Sequence, residues 1–341
     1  MISTGTFRDE FDFLNQHVPE ALYADWNDPV NTFITSTLLE WVREYKHHRI
    51  AEYREDAIAV DIDFDDEVNE KFDWIRSVDV DEFMNSLAQY DWDEDRFEEV
   101  FSHYFSFSAY QAYRYFSERS MSIQLASSVA DFGKDAFGCY LPMHAFYQSA
   151  STPWGIYLFP ELIIEQATQL HGEINEGLQW WEHIVFYLYA VYRHELFHSQ
   201  VERFATRLEM LFNRAFYKPY RLNVSDEVCN SEDWLEEALA ENSVLNSRLV
   251  ANRTGISGKT FRKIYEHDLQ NMPPGYRDYH CQSHGGPELA MRKFTAQVAS
   301  GTVEPDRYPT NLMTIKTEYA YPDQRVPGYF VVDPESKRRF Q

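Results

Sequence analysis

Ile184-Val185-Phe186-Tyr187-Leu188-Tyr189-Ala190-Val191-Tyr192-Arg193-His194-Glu195-Leu196-Phe197-His198 is the stretch from which fold and function are both read. From about Ile174 to Phe216 there is no proline and Gly177 is the only glycine, so the spacing predicts one long helix or two closely joined ones. Its section from Ile184 to Phe197 is apolar nearly all round, which predicts a central helix buried on every side. Within a helix, side chains four apart share a face, so His194 and His198 can aim two imidazoles at one point. A zinc ion takes such nitrogens at about 2.0–2.1 Å. Glu195 stands beside that point instead of on it, where its carboxylate can accept a proton from an activated water. The run HExxH therefore divides the labour: His194 and His198 as metal ligands, Glu195 as general base. Buried without a metal, these three polar groups would need other partners.

A hydrolytic site requires a third protein ligand and an open fourth position. Val201 stands where the extension HExxHxxGxxH has its glycine, so that extension is absent. Glu202, one turn past His198, would strain a tetrahedral site from the same helix. The helix expected over Asp233–Val250, with Ser231 as N-cap and acids in its first turn, offers Glu237 beside small Ala238 and Ala240. Glu236 is the rival ligand, and Glu241, one turn on, can hold a ligating histidine.

At Glu237-Ala-Leu-Ala-Glu241 the chain resembles the gluzincin metallopeptidases, the thermolysin-like group, whose third ligand is a glutamate on a helix downstream of HExxH. The resemblance covers about residues 139–300. Trp154–Phe159 is similar to the family's edge strand, which pairs with the substrate backbone above the zinc helix. The resemblance implies Zn2+ held by His194, His198 and Glu237, a peptide or protein substrate, and a donor facing the developing oxyanion. Ser283-His284-Gly-Gly-Pro287 with Arg292 looks like the family's segment bearing that donor. His284, then His280, are the candidates, in a segment that also holds Tyr276 and Tyr279.

Outward from this centre, the expected fold is α+β and predominantly helical, zincin-like, with a small antiparallel sheet and a central HExxH helix. Helical spacing over Thr32–Ile50 and Asp95–Phe116, and a short alternating stretch Ala57–Phe64, make residues 1–132 an acidic, mainly helical region. Residues 133–300 form the catalytic region, with strands near Cys139–Tyr147 and Trp154–Phe159 and a helix over Pro287–Ala299. Residues 301–341 read as a β-hairpin, Leu312–Tyr321 against Tyr329–Val332, packed on that region.

Charge narrows the partners. Residues 1–100 hold 27 acidic against 8 basic side chains, in a chain of net charge −24. Such a surface repels nucleic acid and anionic membranes; it reads first as a solvated surface promoting solubility, and second as a face that could meet a basic protein partner. No signal peptide opens the sequence and no apolar run is long enough to span a bilayer. Cys139, Cys229 and Cys281 form no disulfide framework, which fits a reduced, cytoplasmic protein. The alternative function is a non-catalytic acidic interaction protein whose metal is structural or absent. A closed four-ligand site would favour it.

Overall fold

Helices dominate, with one small sheet beside them. The computed structural model describes residues 75–78, 82–83, 93–105, 107–123, 125–126, 129, 133–142, 155–212, 215–225, 234–247, 256–304, 326 and 328–331. In chain order these form strand β1 (Ile75–Val78), helices α1 (Glu94–Phe105) and α2 (Ala109–Ser117), and a 3-10 turn (Gly133–Ala136). Strands β2 (Gly138–Leu141) and β3 (Gly155–Leu158) follow. Next come helices α3 (Pro160–Glu173), α4 (Trp180–Phe212), α5 (Tyr217–Tyr220), α6 (Leu235–Asn246), α7 (Gly258–Leu269), α8 (Pro274–Arg277) and α9 (Pro287–Ser300), and then strand β4 (Gly328–Val331). The helix expected over Thr32–Ile50, the strand over Ala57–Phe64 and the hairpin arm Leu312–Tyr321 lie outside the described residues.

The expected long helix is the single helix α4. Glu176 and Gly177, both at positive φ, turn the chain just ahead of it. It packs against α3, α6, β2 and β3. The strands can lie close because Gly138 has no side chain: a Cβ there would sit 2.9 Å from the Tyr157 carbonyl and 3.0 Å from Val191 of α4. The expected helix Asp95–Phe116 is instead two, α1 and α2. Ser108 divides them by capping α2, its hydroxyl accepting from the Gln111 N–H at 3.2 Å. α6 begins at Leu235, with Trp234 at its N-cap and no side-chain cap; Ser231, expected there, lies outside the described residues.

The sheet runs in the order β1-β4-β3-β2 and is mixed. β1 pairs antiparallel with β4, and β2 antiparallel with β3, but β3 and β4 are parallel. The expected small antiparallel sheet is present in the pairs β1–β4 and β2–β3, and the parallel contact of β3 with β4, which can only join segments far apart in sequence, unites them. β3 is not an edge strand, since β2 and β4 occupy its two sides; β2 holds the edge. At Gly328–Phe330 both sides of β4 are taken by β1 and β3.

Two buried clusters fill the interior. The larger runs from Val78, Phe97 and Phe101 through Leu158 and Ile163 to Val191 and Leu196 of α4, so it crosses position 132 without a break. The second begins at Phe197 and gathers the rest of α4 with Tyr220, Leu239 and Phe294 from α5, α6 and α9. His194 to His198 straddles the changeover. No helix among the described residues is long and apolar enough to cross a membrane.

Candidate metal centre

α4 and α6 pack side by side and bring the expected donors together. His194 Nε2 and His198 Nε2 stand 3.1 Å apart. Glu237 Oε2 lies 3.0 Å from the first and 3.6 Å from the second. A fourth donor, Asp135 Oδ1 from the 3-10 turn, is 3.8 Å from His194 Nε2. All four lie within 4.8 Å of one another. Donors at the corners of a tetrahedron, each about 2.0–2.1 Å from a shared zinc, are about 3.3 Å apart. The observed separations scatter around that value, so the residues present fit the ion.

The far side of each imidazole is backed by a carboxylate. His198 Nδ1 donates to Glu236 Oε1 at 2.8 Å, and His194 Nδ1 faces Glu241 Oε1 at 3.2 Å. These contacts turn both Nε2 lone pairs toward the shared point, as in metal sites generally. Glu236 is held in turn by the Tyr220 hydroxyl, and Glu241 by that of Tyr265. The rival ligand Glu236 thus backs His198, while Glu237 alone of the pair reaches both Nε2 atoms. Burial opposes charge on both histidines. On His194 the carboxylates of Glu241, Asp135 and Glu237 outweigh it, on His198 those of Glu237 and Glu236, and both pKa values rise well above the ordinary.

Glu195 is not one of the four donors. Its side chain is fully buried, and neither carboxylate oxygen has a hydrogen-bond partner among the described residues. Burial, reinforced by the charge of Asp135 and opposed by the two histidines, pushes it up to about 8. A carboxyl so placed is poised to exchange a proton near neutral pH. Cys139 on β2 lies in the same field; burial, with Glu195 and Asp135 nearby, raises its thiol and keeps it neutral.

Of the segment Tyr276–Pro287, it is Tyr276 that reaches the centre. Its ring stacks on His194 at 5.7 Å and 19°. Burial, and the charges of Asp135, Glu237, Glu195 and Glu241, hold its hydroxyl protonated. His280 is exposed, its ring 4.3 Å from that of Tyr279, and His284 Nδ1 lies 3.4 Å from Lys293 Nζ on α9. Neither belongs to the donor cluster.

The chain matches no known protein family, no curated protein and no solved structure. What the site can do therefore rests on its own geometry.

Asp135 gives no sign of itself in the sequence, where only Gly133 and Gly138 mark a turn around it. Its neighbour Lys134 explains its position. That side chain is fully buried, its ammonium donating to the Tyr187 hydroxyl at 2.8 Å and to Asp268 on α7. Gln166 Nε2 donates to the other Asp268 oxygen at 2.9 Å. Gly133, at φ +58, has the ring of Tyr276 directly against it; a Cβ would lie 2.3 Å from that ring. Gly133 and Lys134 thus pin the backbone of the turn that carries Asp135.

Proposed function

We propose that this protein is a zinc-dependent metallopeptidase of zincin-like fold. The convergence of His194 Nε2, His198 Nε2 and Glu237 Oε2, each imidazole backed by its own carboxylate, carries the reading. Zinc held by these three side chains would supply Lewis-acid chemistry, polarising a scissile carbonyl and acidifying water. Glu195, buried beside the donors and bonded to none of them, takes the proton of the attacking water and delivers it to the leaving amine. Tyr276 replaces His284 and His280 as the donor toward the developing oxyanion, because it alone of that segment stacks on a metal-binding histidine. The side of β2 that no described strand occupies, instead of β3, is the edge on which an extended peptide would align.

Asp135 favours a second reading. Four protein donors make a closed centre, which is the form of structural zinc sites. The two readings separate in one experiment. Zinc-loaded wild type and Glu195→Gln are incubated with a mixture of unfolded polypeptides, and new N-termini are counted by mass spectrometry. The peptidase reading expects full zinc content in both proteins and cleavage lowered at least about a thousandfold in the variant, in keeping with the loss of a general base. Equal cleavage by the two proteins would remove Glu195 from the mechanism; no cleavage by either would leave the structural centre standing.

A further inference from the structure

The four donors are not held alike. His194, His198 and Glu237 project from helices α4 and α6, with side chains 0%, 13% and 6% exposed. Asp135 comes from a four-residue turn, and its side chain is 38% exposed although Oδ1 itself is buried. The histidines have Glu241 and Glu236 behind them; Asp135 Oδ1, like Glu237 Oε2, has no hydrogen-bond partner among the described residues, but only Asp135 is both carried by a short turn and more than a third exposed. It also stands farther from His194 Nε2, at 3.8 Å, than Glu237 Oε2 does at 3.0 Å. The most exposed and most distant of the four donors is the one a competitor displaces most readily.

We propose that Asp135 is a fourth, replaceable protein ligand: it closes the metal centre in the resting protein and yields its position to an incoming anionic, bidentate group. This rests on the metal reading given above and adds a regulated opening to it. The turn itself remains fixed by Lys134 and Gly133, so the Asp135 side chain swings while the backbone holds. Its partial exposure supplies the space for that movement. The incoming chemistry is that of a hydroxamate or carboxylate, two oxygens arriving together where one departs. In such a centre the fourth position is empty only when it is about to be filled.

Cobalt(II) tests this without recourse to activity. The full chain is loaded with Co(II), its affinity is measured by competition with a chromophoric chelator, and acetohydroxamate is titrated against the visible absorption of the ion. Asp135→Ala is expected to bind Co(II) at least about tenfold more weakly and the Co(II)-loaded variant to bind acetohydroxamate at least about tenfold more tightly than wild type. Asp135→Asn, nearly the same size, should move both quantities the same way and guards against a folding defect in the alanine variant. Wild type and both variants alike in Co(II) affinity and in acetohydroxamate response would overturn the proposal while leaving the three-ligand centre intact. Failure of wild type to take up Co(II) at all would sink the metal centre and Asp135's role with it.

Discussion

Five carboxylates, from Asp135, Glu195, Glu236, Glu237 and Glu241, crowd around two imidazoles at the seam of α4 and α6. Burying so many like charges is tolerable only if positive charge sits among them. Protonated histidines supply some of it in the absence of metal, and a divalent ion would supply more. Glu237 shows how strongly the two imidazoles act: burial pushes its carboxyl up, yet the charges and hydrogen bonds of His198 and His194 prevail and hold it well below the usual carboxylate range. Neighbouring glutamates therefore have different work. Glu237→Ala removes a donor and should abolish stoichiometric zinc binding. Glu236→Ala removes only the support behind His198 and should weaken binding about 10–100-fold. Equilibrium dialysis with zinc checks both. Equal losses in the two variants would erase the distinction. The choice between the two glutamates was not legible in the sequence, because residues adjacent on a helix differ by about 100° in direction and only the crossing of α6 over α4 decides which one points inward.

At the level of elements, the turn Gly133–Ala136 owes its place to α7, through the buried pair of Lys134 and Asp268. Lys134→Met takes the cation from beside the buried Asp268, leaving it the neutral partners Gln166 and Tyr187, and should cost about 3–5 kcal/mol of stability. Lys134→Met together with Asp268→Leu should recover much of that loss, since a packed apolar pair replaces a broken ionic one. Urea unfolding of the two variants and wild type measures this; a double variant no more stable than the single would show that the pair itself is what the core needs. α4 and the HExxH run were readable from the absence of proline and from apolar content alone. The turn was not, for a buried lysine beside a site-facing aspartate has the same local sequence as a solvated loop. The split between α1 and α2 was missed for a related reason: the apolar spacing continues across Ser108, and only the cap geometry breaks it.

Across the described residues, α4 ties two apolar clusters together, and the run from His194 to His198 lies where one gives way to the other. The sheet ties distant segments in the same way, since β4 joins β1 on one side to β3 on the other. A chain ending at Arg325 should lose β1 from the sheet, expose the packing side of Phe83 and Phe105, whose rings meet Phe330, and unfold without a cooperative transition. Calorimetry decides it: a sharp wild-type-like transition in the shortened chain would show that β4 is dispensable. The same strand order also sets a timetable. β4 is the last of the described elements to leave the ribosome, more than a hundred residues after α4 has been made. Until it arrives, β1 and the inner side of β3 remain without their partner, and nascent chains present unpaired backbone to one another and to chaperones. The four candidate donors, all contributed before residue 242, are synthesised well ahead of the strand that completes the sheet. An ion captured early would thus be bound by a protein still waiting for its central strand.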